Sequence, residues 1–138
     1  MIGGWLAGAA RADDGLLDRY EAVRVALARD DIDHAKIAAV DLSIFAPEEV
    51  VRAARAVATA SDGAAARVAF GELSRATVRA IASEPPMGVR VFRCPMTDAW
   101  PYWLQAGAGI ANPYMGLAMP TCGTDTSLRA AVRAAAER

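Results

Sequence analysis

Between positions 85 and 123 the chain carries prolines at 85, 86, 95, 101, 113 and 120 and glycines at 88, 107, 109, 116 and 123. No long regular element survives that density of Pro and Gly, so this third of the chain is confined to short strands, turns and irregular backbone. The residues before it are Ala/Arg-rich and helical in period. The chain therefore divides into a helical body and an irregular cap over 85–123. A structureless stretch of this length in a compact domain is normally functional or disordered. The aromatic residues Trp100, Tyr102, Trp103 and Tyr114 argue against disorder. With only Arg90, Arg93 and Asp98 as charges between Pro85 and Thr124, the cap is expected to pack onto the body through those rings.

Four helices precede the cap. Asp13 or Asp14 caps the first, to about position 29, with Leu16, Tyr20, Val23 and Leu27 along one stripe. Asp30-Asp31 breaks the run and caps a second helix to about 45, with Ala35, Ala38, Leu42 and Phe45 inward. Pro47, followed by Glu48 and Glu49, opens a third through about 60, on Val50, Ala54 and Val57. Ser61-Asp62-Gly63 turns the chain into a fourth to about 83, on Phe70, Leu73, Thr77 and Ile81. A short strand is expected over 89–93. Thr124 or Asp125 then caps a last helix on Leu128, Val132 and Ala135. Short connections favour antiparallel neighbours. The fold class read from this pattern is all-α: an up-and-down helical bundle, an irregular Pro/Gly-rich Cys/Met cap that has room for a short hairpin, and a C-terminal helix.

A chain of 138 residues fits one domain. A net charge of −1, with the 14 Arg spread among Asp and Glu as on ordinary solvated faces, gives no footprint for nucleic acid or for an anionic membrane. No apolar run reaches the roughly 18 residues of a membrane span. Ile2 to Ala9 is small and apolar, and Ala10-Arg11-Ala12 follows in an A-x-A pattern. That is the end of a secretory signal in outline, without its basic start. Positions 1–12 are read as a signal remnant or leader, 13–138 as one helical domain, and the location as exported.

The chemistry concentrates in the cap. Cys94 has Met96 two residues on, and Cys122 has Met119 three residues before. Two thiols and two thioethers make a soft donor set suited to monovalent copper rather than zinc or magnesium, with Pro95 and Pro120 stiffening the backbone beside each thiol. The same cysteines read equally well as a disulfide, worth about 3.5 kcal/mol in the chain-entropy account, with the methionines as packing. Met87 and Met115 are read as packing. His34, the single histidine, is read as a helix-surface or interface residue, and one His with two Cys does not complete a structural zinc site. The cysteines lack C-x-x-C spacing. There is no phosphate-cradling glycine loop, paired-carboxylate site or serine nucleophile motif, so no enzyme is expected.

The order Cys94-Pro95-Met96, Trp103-Leu104-Gln105, Asn112-Pro113-Tyr114, Gly116, Met119, Cys122-Gly123 resembles a bacterial domain of unknown function. That domain is found alone or attached to CusB-like periplasmic adaptors of heavy-metal efflux systems. The motif covers about the last third of the chain; the helices match in general character. The resemblance implies an exported helical domain with a Cys/Met cap, a context of copper handling, and an efflux-system or envelope protein as partner. Two departures stand out. Arg93 occupies a position where the family often has His or an aromatic, and the run from Thr97 to Tyr102 is short. The two functional expectations are a periplasmic copper-binding protein and a disulfide-stabilised interaction module of the cell envelope without metal.

Overall fold

The computed structural model describes residues 12–137, so the leader expected over 1–12 lies outside the described residues except for its last position. Five helices and three strands follow in the order α1 (Ala12–Ala28), α2 (Ile32–Phe45), α3 (Glu48–Ala58), α4 (Gly63–Ile81), β1 (Arg90–Arg93), β2 (Tyr102–Gln105), β3 (Thr124–Thr126) and α5 (Leu128–Ala136), with a 3₁₀ turn at Gly116–Ala118. Consecutive helices pack against one another: α1 on α2, α2 on α3, α3 on α4, and α4 on α5.

The helix boundaries follow from local chemistry. Asp31 caps α2, its side chain accepting the His34 backbone N–H at 3.1 Å. That hydrogen bond, with a second from the His34 ring, holds the exposed Asp31 carboxyl below its ordinary value. Pro47 is the N-cap of α3, and Glu48 and Glu49 in its first turn complement the helix dipole. Asp62 caps α4 by accepting from Ala65 N at 2.8 Å.

Leu16, Tyr20, Val23 and Leu27 of α1 are buried, as are Val50, Ala54 and Val57 of α3 and Phe70, Leu73, Thr77 and Ile81 of α4, which are the stripes the spacing predicts. α2 differs. It buries Ala35, Ala39 and Leu42, while Phe45 is 64% exposed beneath the Arg19 guanidinium, 4.1 Å from its ring centre. This helix is apolar on more than one side, so its period alone does not fix which side faces the core.

A purely all-α fold is corrected by the cap, which contains an antiparallel three-stranded sheet in the order β2-β1-β3. β1 and β2 form a hairpin with Val91 opposite Leu104 and Phe92 opposite Trp103. β3 joins the other edge of β1, with Arg93 opposite Thr124. The residues 124–126, expected to begin a helix, are thus a strand. Two β-branched threonines suit a pleated edge, and β1 has backbone groups to pair on that side. The helix begins later, with Ser127 accepting from Ala130 N at 3.1 Å. The sheet rests on α4 and α1 through β2 and touches α5 through β1. Gly71 makes part of that closeness possible. A Cβ there would stand 3.0 Å from the backbone N and O of Trp100, so glycine lets the cap backbone lie this close to α4 without a shift of either.

Candidate functional site

The Pro/Gly-rich segment is held by a small number of buried polar groups reaching in from the helices. Cys94 N–H donates to Pro101 O at 2.9 Å and extends the β1–β2 ladder by one step. The alternation of an antiparallel ladder then turns the Leu104 N–H and the Tyr102 carbonyl toward the outer edge of β2. Two tyrosines meet them. Leu104 N–H donates to Tyr20 Oη at 3.0 Å, and Tyr114 Oη donates to Tyr102 O at 2.8 Å. The Tyr20 hydroxyl also hydrogen-bonds Ser74 Oγ at 2.7 Å, between α1 and α4. Burial raises the pKa of both phenols.

The W-L-Q and N-P-Y triplets make the rest of the framework. Gln105 Oε1 accepts from Trp103 Nε1 at 3.0 Å, Ala111 N at 3.2 Å and Arg24 Nη1 at 3.4 Å, while its amide nitrogen donates to Gly109 O. Arg24, only 4% exposed, also donates to Ala111 O at 2.8 Å and forms a two-toothed pair with Glu21. Asn112 is fully buried. Its Oδ1 accepts from Tyr114 N and Met115 N, its Nδ2 donates to Cys122 O, and its own N–H donates to Pro120 O. Arg67 of α4 clamps the next turn, donating to Pro113 O at 3.0 Å, Leu27 O at 2.7 Å and Asp30 Oδ1 at 2.6 Å. Gly116 has φ +59, and a Cβ on it would collide with the Asp30 carboxylate and the Arg67 guanidinium. Phe92 stacks on Trp103 with centroids 5.3 Å apart, and Tyr114 meets Trp103 and Phe70 edge-on, so the aromatics join cap to helices as expected.

Four of the motif's conspicuous residues (Trp103, Gln105, Asn112 and Gly116) therefore have architectural roles. The sequence reading of the arginines as solvated faces is corrected for Arg24. The signal was present in its spacing, four residues after Tyr20 and three before Leu27, on the edge of the buried stripe.

In the chain the four candidate ligands flank the end of β1 (Cys94, Met96) and the start of β3 (Met119, Cys122). Cys94 follows Arg93 directly, and Cys122 precedes Thr124, which pairs with Arg93, by two positions. Both are free thiols; Cys94 is 1% exposed and Cys122 half-buried. Continuing the ladder would set Cys94 opposite Gly123 and turn the Cys122 side chain to the other face of the sheet. Met119 and Cys122 share a turn closed by Cys122 N–H donating to Met119 O at 3.2 Å. Met96 is 58% exposed and Met119 39% exposed, so neither is a core filler. Met87 is 98% exposed, which corrects its assignment as packing; Met115 does pack against the core. His34 stands at the start of α2 with its Nδ1 2.6 Å from Asp31. Among the described residues no group of three or more His, Cys, Asp or Glu side chains is arranged to hold a metal. The donors fit a soft ion in their chemistry. In geometry three of the four are open to solvent, and Cys94 is closed off behind the sheet. No described helix is long and apolar enough to cross a membrane. Comparison with protein families, with curated proteins and with solved structures found no match.

Proposed function

We propose that this chain is a periplasmic soft-metal-binding domain, an up-and-down helical bundle whose cap takes monovalent copper through Cys94, Met96, Met119 and Cys122 in metal handling or efflux. The observation that carries the reading is the exposure of Met96 and Met119, each within three residues of a free thiol in the chain. Packing supplies no reason for large thioethers to stand there. Cys122, Met119 and Met96 would be the solvent-accessible donors to the ion, and Cys94, buried at the end of β1, would be the fourth. Binding would release the two thiol protons to the solvent, monovalent copper would offset one of the two thiolate charges, and the thioethers would discriminate against harder ions. No catalytic step is assigned. The partner that delivers or receives the ion is an efflux-system or envelope protein, in keeping with the family resemblance of the cap motif.

A thiol count and an anaerobic titration with monovalent copper against a competing chelator test this directly. One copper per chain is expected, lost in Cys122→Ser and weakened about tenfold by Met96→Leu or Met119→Leu with thermal stability unchanged, since both methionines are exposed. Absence of tight copper from the reduced protein, or a quantitative Cys94–Cys122 disulfide that excludes it, would leave the interaction module without metal in its place.

A further inference from the structure

α2 lies between α1 and α3 and buries Ala35, Ala39 and Leu42 against them. Its outward arc consists of Asp33, His34, Ile37, Val40, Asp41 and Ile44. Ile37, Val40 and Ile44 are 65%, 51% and 67% exposed. Their spacing of three and then four residues is that of successive a, d and a positions in a coiled-coil seam. Scattered surface aliphatics need no explanation, but three in one stripe on a single helix form a patch. Phe45, also exposed, extends it at the C-terminal end.

We propose that this stripe is a self-association surface, on which the α2 helices of two copies pack in parallel about a two-fold axis. The charges beside the seam decide both the occupant and its direction. With Ile37 at a and Val40 at d, Lys36 falls at g and Asp41 at the following e, five residues on. That is the pair of positions that face each other across a parallel two-helix seam, so Lys36 of each copy meets Asp41 of the other, twice by symmetry.

Both side chains have capacity to spare. Lys36 Nζ uses one donor on Ala60 O, and Asp41 uses Oδ2 toward Arg19 Nε. An antiparallel packing centred on Val40 would instead set Asp41 beside its own copy, a like-charge contact in place of the two Lys36–Asp41 pairs. In the parallel arrangement the two Asp33 residues meet at the preceding d position, a like-charge contact that the two Lys36–Asp41 pairs offset and that ends the seam there. Contact is limited to about 10 Å of helix, from Ile37 to Ile44. Such an interface is small and gives a dimer that forms with concentration rather than an obligate one.

Sedimentation equilibrium of the metal-free chain over a wide concentration range should show a monomer–dimer equilibrium. Ile37→Glu or Ile44→Glu should abolish it with the helical circular dichroism unchanged. Lys36→Asp and Asp41→Lys should each weaken it about tenfold, and the double exchange should restore it. In a Cys94→Ser, Cys122→Ser background, Ile37→Cys should cross-link to its own copy on mild oxidation. A monomer at every concentration, a dimer indifferent to Ile37→Glu, or an Ile37→Cys that joins only to Ile44→Cys would each overturn the proposal. None of these readouts depends on copper, so the metal reading stands or falls separately.

Discussion

At Gly116 an added carbon meets both an unfavourable backbone conformation and an occupied space. Its φ of +59 disfavours an L side chain, and a methyl group there would enter the space of Asp30 and Arg67, the pair that ties the 3₁₀ turn to the α1–α2 junction. Gly116→Ala is expected to cost about 2–4 kcal/mol by urea unfolding; a loss below about 0.5 kcal/mol would mean the clamp yields freely. Tyr20 and Tyr114 carry a pH dependence. Burial raises both phenols above the ordinary value of 10.0, so the folded chain keeps protons that the unfolded chain releases. Their contribution is complete below about pH 10 and is lost as pH rises beyond it. An alkaline titration should therefore show two of the three tyrosines turning to phenolate together with the loss of helical circular dichroism. Phenolate formation well ahead of unfolding would contradict their enclosure. At this scale the sequence was informative about conformation and poor about partners. Asn112-Pro113 marks a turn, but nothing local tells that the Asn112 amide holds the Cys122 carbonyl or that Arg24 reaches Ala111.

The elements divide by how local their causes are. Helices α3 and α4 were legible because each combines an apolar stripe with nearby capping chemistry. Helix α1 was legible by its stripe, although the helix already runs through Asp13 and Asp14, which were expected to cap it. The strand expected over 89–93 appears as β1 at Arg90–Arg93. β3 was not legible. Three residues carry no period, and what makes them a strand is the unpaired side of β1, more than 30 positions earlier in the chain. α2 was legible as a helix but not in phase, because its second apolar face is left outside. The start of α5 tests the revised boundary. Ser127, not Thr124 or Asp125, accepts the helical N–H, so Ser127→Ala should cost about 1 kcal/mol and Asp125→Ala much less, compared by thermal melts. The reverse order would return the cap to the earlier residues.

Body and cap are joined by several groups at once: the Arg24 guanidinium, the outer edge of β2, the Arg67 clamp and the Trp103 ring system. They should unfold as one unit. Tryptophan fluorescence, dominated in the cap by the buried Trp103, and far-ultraviolet circular dichroism, dominated by the helices, should trace the same urea transition. Two separated transitions would show a cap that comes away first. The division into body and cap was legible at this scale from Pro and Gly alone; the sites of joining were not, since they pair residues from opposite ends of the sequence. The candidate ligands were legible as residue types, while the burial of Cys94 depends on the sheet that the chain closes over it. That same long reach has a consequence for synthesis. A ribosome releases α1 first, yet Tyr20 and Arg24 find Leu104, Gln105 and Ala111 only 81 to 87 positions later. Until then Arg24 has only Glu21 of its own helix and Tyr20 only Ser74 of α4 to meet, so the hydrogen bonds that join α1 to the cap close only after most of the chain has emerged.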